Sequence, residues 1–184
     1  MNIDLYTSCE SVGAQAEYIR SGLDYAEWQH NVETLLASGQ FRGIHVMNTI
    51  NALCLTTLVD FLEYIVTLKK KHGRDAISYT LNILRFPSFQ SATVLGDDLR
   101  TQYRSTLVEF VVRHRGHSYL HEHEVNHVLR LIDYLDVVKT PHEGAADVAV
   151  LRKDFKSFYT QYDQRRGLCF ESTFPELAAW WRTL

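Results

Sequence analysis

Hydrophobic positions along this chain switch between a period of two and helical spacing several times, then keep helical spacing through the second half. "IDLYTS" (3–8), "GIHVMNTI" (43–50) and "ISYTLNILRFP" (77–87) are β-branched and aromatic runs, the last closed by proline, and predict three strands. Between the first two, "GLDYAEWQHNVETLLASG" predicts a helix. Asp24 stands at the N-cap with Glu27 three residues on, Trp28, Val32, Leu35 and Leu36 form the apolar stripe, and Gly39 ends it. "TLVDFLEYIVTLKKKHG" (57–73) predicts a second helix, whose closing lysines suit the negative end of the helix dipole. Strands alternating with helices imply a parallel sheet joined by right-handed crossovers.

Beyond the turn-rich "RFPSFQSATVLGDD" the period no longer changes. Helices are expected over 97–115, 117–138 and 147–166, followed by the aromatic tail "FPELAAWW", whose Trp180 and Trp181 would close the core. The chain therefore divides into an α/β part, 1–96, and a mainly helical part, 97–184. Three parallel strands leave two sheet edges unpaired, and the first strand begins almost at residue 1. The pattern looks like a cut from a larger sheet, and self-association through an open edge is expected.

Composition narrows the function classes. With 184 residues, 46% of them apolar, the chain can bury a sizeable core. No apolar run approaches the roughly 18 residues of a membrane span, and "MNIDLYTSCES" lacks the regions of a signal peptide, so the cytoplasm is the expected compartment. A net charge of -3 with scattered Lys and Arg argues against nucleic acid or a membrane surface as partner. Cys9, Cys54 and Cys169 are distant in sequence and odd in number, which predicts buried reduced thiols rather than a disulfide framework or zinc knuckle.

One motif invites a metal. His123-Glu124-Val125-Asn126-His127 fits the HExxH pattern of zinc hydrolases. Setting Val125 at zero on a helical wheel, Val128, Leu129 and Ile132 fall close to it, whereas His123 and His127 lie about 160° away. Arg130 and Asp133 occupy the glycine and third-histidine positions of the extended motif, leaving His142 or Glu143 as remote ligands. Five of the nine histidines lie between 114 and 127, and a solvated helix face explains them without zinc.

"SCESVGAQAEYIR" (8–20) resembles the S-x-D/E-G/A/S segment, short helix and arginine that follow the fourth barrel strand in radical S-adenosylmethionine enzymes. The run "EYIRSGLDYAEWQHNVETLL", "HVMNTINALCLTTLVDFLEYI", "LNILRFPSFQSATVLGDDLR" and "RRGLCFESTFPELAAWW" is similar to members with a twitch-type C-terminal region, so the likeness covers nearly the whole chain. The resemblance implies three parallel strands of a partial (β/α)6 barrel, strands four to six, followed by the helical extension. It also implies S-adenosylmethionine and a 4Fe–4S cluster as cofactors of the complete protein. The CxxxCxxC loop that binds the cluster is absent here, so this chain alone would be inactive.

By the same resemblance Ser8, Glu10, Arg20, Asn48 and Asn82 would hold the cofactor, with Arg20 on its carboxylate, and Thr49 and Arg85 would line the substrate pocket. Read without it, Ser8 and Glu10 would cap the next helix, Arg20 would be a surface charge, and the asparagines would satisfy buried backbone groups or water. The functional expectation is the C-terminal portion of an enzyme that abstracts hydrogen from an unknown substrate. A non-catalytic half-barrel or interaction module is the alternative, and an HExxH zinc hydrolase a remote one.

Overall fold

The computed structural model of the protein describes residues 3–136 and 147–184. The end of the helix expected over 117–138, and both His142 and Glu143, lie outside them. Strands β1 (Asp4–Thr7), β2 (Gly43–Ile50) and β3 (Ile77–Ile83) form one parallel sheet in the order β1-β2-β3. The register pairs Tyr6 with His45 and Thr7 with Val46, then Val46 with Tyr79 and Thr49 with Asn82. Helices α1 (Gly13–Ile19) and α2 (Tyr25–Ser38) connect the first two strands, and α3 (Leu58–His72) connects the second pair.

Local chemistry sets these boundaries. The Asp24 side chain accepts from the Glu27 N–H at 2.9 Å to open α2, and Gly39, at φ 62°, closes it in the left-handed region that glycine enters without penalty. Asn51 ends β2 by accepting from the N–H groups of Leu53 and Cys54 at 2.8 and 3.2 Å, starting a 3-10 turn over Leu53–Thr56 that the apolar pattern had not signalled. β3 stops at Ile83, four residues short of the expected end at 87. Its neighbour β2 has ended, and the last rung is the Leu84 N–H on the Ile50 carbonyl at 2.9 Å.

The two faces of the sheet differ. Ile44, Val46, Ile50, Ile77, Tyr79 and Leu81 are buried, and α2 and α3 pack over that face. The other face carries Tyr6, His45, Met47, Thr49, Thr80 and Asn82, none of them buried. Parallel sheets are ordinarily covered on both faces; among the described residues this one is covered on one.

Helices α4 (Asp97–His114), α5 (Glu122–Asp136) and α6 (Val148–Arg166) follow, then the short α7 (Phe170–Thr173) and α8 (Ala178–Arg182). Asp147 caps α6 by accepting from Ala149 N–H at 3.0 Å. α5 lies along the outer edge of β3, where Glu124 Oε1 accepts from Tyr79 N–H at 3.2 Å and Arg130 Nη2 donates to the Leu81 carbonyl at 2.8 Å. The expectation of two open edges is thereby corrected: side chains of α5 close one of them.

The aromatic tail folds back on α1. Trp181 is buried and stacks on Phe170 with centroids 4.0 Å apart, Tyr18 meets Phe174 edge-on at 5.0 Å, and the Tyr18 hydroxyl donates to Asp163 at 2.7 Å. Buried apolar contacts run from Cys9 to Trp181 as one cluster, crossing residue 96 without a break.

Candidate functional site

β1 ends at Thr7, opposite Val46 and four residues before β2 ends at Ile50, so the Thr49 N–H faces space that β1 no longer fills. Glu10 fills it. Its side chain is 2% exposed and Oε1 accepts from Thr49 N–H at 3.0 Å. Arg20, the residue that caps α1, lies across the same carboxylate as a side-on fork: Nε donates to Oε2 at 2.7 Å and Nη2 donates to Oε1. Those bonds raise the affinity of the guanidinium for its proton above the ordinary arginine value. Nη1 is left, with two N–H bonds directed away from Glu10.

The loop beneath is tied down on both sides. Cys9 Sγ donates to the Ser11 carbonyl at 3.3 Å, Val12 N–H donates to Thr57 Oγ1 at 3.2 Å, and the Ser11 and Thr57 hydroxyls bond directly. Asn48 donates through Nδ2 to the Cys9 carbonyl, and it is 0% exposed. Its Oδ1 is buried without a partner among the described residues.

Of the residues expected to form a site, Glu10, Arg20 and Thr49 are joined by hydrogen bonds, Asn48 braces their loop from the covered side, and Ser8 belongs to the same loop. Ser8 is half-buried and its hydroxyl has no partner among the described residues. Asn82 is the register neighbour of Thr49 on the open face. Arg85 stands apart, two residues past β3, with its guanidinium 5.8 Å from the Tyr134 ring. The C-terminal rim of the sheet thus offers a fixed cation with donors to spare and the Ser8 hydroxyl, unpartnered among the described residues. That donor set fits the carboxylate and hydroxyl groups of S-adenosylmethionine.

The cysteines do not fit a cluster. Cys9 and Cys54 are buried, and burial pushes the Cys9 thiol up to about 11 and raises that of Cys54. Cys54 Sγ donates to Asn51 Oδ1 at 3.3 Å, while Cys169 is exposed at the start of α7. Thiolates that bind iron must converge in their deprotonated form.

The HExxH residues also diverge. His123 is exposed, His127 is half-buried beside Arg130, and Glu124 is fully buried in an ion pair with Lys69 at 3.0 Å. Both members of that pair are 0% exposed, and Glu124 further accepts from His121 N–H at 2.8 Å, so its carboxylate cannot serve a bound water. Among the described residues no three metal-ligating side chains converge.

Lower on the open face a cavity of about 350 Å³ is lined by Asp4, His45, Asp75, Ser78, His121 and His123. His45 Nδ1 and Ser78 Oγ are 2.6 Å apart, and His45 packs on Tyr6 with centroids at 5.0 Å. The period-two pattern of "GIHVMNTI" put His45 on this face, yet nothing in the sequence set it against Ser78. Lys69 and Glu124 had left a signal: the spacings 58-62-65-69 and 124-128-131-135 place both charges on otherwise apolar helical stripes.

Compared with models of protein families, with curated proteins and with solved structures, the chain matches none. Function therefore rests on the rim and on the residues quoted above. No helix among the described residues is long and apolar enough to cross a membrane.

Proposed function

We propose that this chain is the C-terminal portion of a radical S-adenosylmethionine enzyme, a half-barrel whose rim holds the cofactor in a reducing, cytoplasmic setting. The observation that carries this reading is the Glu10–Arg20 fork. A buried carboxylate that fixes a guanidinium before any ligand arrives lowers the entropic cost of gripping a second carboxylate through Nη1. The open polar face would be the barrel interior, reached from the rim at Thr49 and Asn82, with Arg85 farther out toward substrate. A 4Fe–4S cluster held elsewhere would supply the electron that cleaves S-adenosylmethionine reductively to the 5′-deoxyadenosyl radical; this chain's own residues bind and orient.

Titration of S-adenosylmethionine into the chain tests the reading. Wild type should bind saturably, and Arg20→Ala should raise the dissociation constant roughly ten- to hundredfold, since a charge-assisted hydrogen bond contributes about 1.5–3 kcal/mol. Arg20→Lys should recover part of the loss, keeping charge without the planar fork.

One observation favours a second reading, a non-catalytic half-barrel that serves as an interaction module. Glu10 has its acceptors filled by Arg20 and Thr49, so the pair braces the 8–12 loop whether or not a ligand comes, and the outer edge of β1 has no partner strand among the described residues. Under that reading Arg20→Ala would lower stability while S-adenosylmethionine bound neither protein, and the wild-type chain would self-associate.

A further inference from the structure

At the opposite end of the strands from the rim, the turn before β3 meets the turn between α4 and α5. A cavity of about 370 Å³ lies there, lined by Arg74, Arg115, His117, Ser118, Glu122 and Asn126 among others. Its two arginines are not among those that form ion pairs. Arg20, Arg42, Arg104, Arg113 and Arg182 each hold a carboxylate; Arg74 and Arg115 hold none among the described residues.

Arg74 is nevertheless fixed. Its Nε donates to His121 Nδ1 at 2.9 Å, and His121 Nε2 lies 2.9 Å from Asp75 Oδ1; both terminal nitrogens of Arg74 are without a partner among the described residues. Arg115 follows α4, and Gly116, at φ 84°, turns the chain so that Ser118 faces the same space. Ser118 and Asn126 add a hydroxyl and an amide, again without partners among the described residues. Two planar guanidinium groups beside a hydroxyl and an amide match the tetrahedral oxygens of a phosphate better than a flat carboxylate, because each fork can span two oxygens.

We propose that this cavity binds the phosphate group of a phosphomonoester, gripped by Arg74 and Arg115 with Ser118 and Asn126 completing the contacts. Glu122, exposed at the rim of the cavity, sets the limit on charge. Two cations against one carboxylate accommodate a single phosphate, whereas a polyphosphate or a nucleic-acid strand would bring further negative charge against Glu122. The site lies at the far end of the sheet from Glu10 and Arg20, so it does not depend on the reading of the rim.

Calorimetric titration at low ionic strength, with inorganic phosphate and with 5′-AMP as probes, tests it. Both should bind saturably in the millimolar range or tighter, and Arg115→Ala should weaken both by roughly tenfold or more. Arg115→Lys should lose less, and Arg165→Ala, on the exposed last turn of α6, should change nothing. Arg74→Ala should match Arg115→Ala; should losing the His121 bond unfold it, Arg115→Ala alone decides. Absence of saturable binding, equal binding by wild type and Arg115→Ala, or tighter binding of a ten-nucleotide single strand than of AMP would each overturn the proposal.

Discussion

The covered and open faces of the sheet share three strands and one register, yet they are built from opposite materials. On the covered side Val46, Tyr79 and Leu81 are 0% exposed under α2 and α3; on the open side Tyr6 is 66% and Met47 42% exposed. Hydrophobic burial, and with it most of the stability, belongs to the first face. Polar side chains within reach of solvent, among them His45, Thr49, Thr80 and Asn82, belong to the second face, where a ligand has access. The fold thus separates what holds the chain together from what can do chemistry.

Substitution of one residue on each face should expose that asymmetry. Phe61→Ala, under the sheet and 0% exposed, should cost about 3–5 kcal/mol of unfolding free energy, and Met47→Ala no more than about 0.5 kcal/mol. Equal losses in denaturant titration would mean that the open face is not free. The edge closed by α5 belongs energetically with the covered face. Glu124→Ala would strand the buried Lys69 ammonium and the Tyr79 N–H, at a cost of about 3–5 kcal/mol, whereas replacing both Lys69 and Glu124 by Met should cost far less. A mild effect of Glu124→Ala would show that water reaches the pair. Smallest of all, His123→Ala combined with His127→Ala should shift stability by about 0.5 kcal/mol or less. A large loss reversed by added zinc would restore a metal role to the HExxH segment.

How much of this was legible in the sequence depended on how local the determinant was. Asp24, Glu27 and Gly39 delimit α2 through contacts within four residues, and "GIHVMNTI" is β2 from end to end, because capping and period-two alternation are written in adjacent positions. β3 was read too long because its end is set by where β2 stops, a property of another strand. Charges at core positions on α3 and α5 were visible as breaks in two apolar stripes, but only the packing of α5 against β3 shows that Lys69 and Glu124 answer each other. At the rim, residue types suggested ligand contacts; the structure adds that Glu10 turns inward and that Arg20 is already held. The cavity beside Arg74 and Arg115 joins residues 41 positions apart and had no local mark.

Mapping S-adenosylmethionine onto the chain by amide chemical-shift perturbation tests the division between the two faces most directly. The account predicts shifts concentrated at Ser8, Arg20, Thr49 and Asn82, with the covered positions Leu62, Ile65 and Ile77 unmoved. Shifts confined to the helical part beyond residue 97, or none at saturating cofactor, would contradict it.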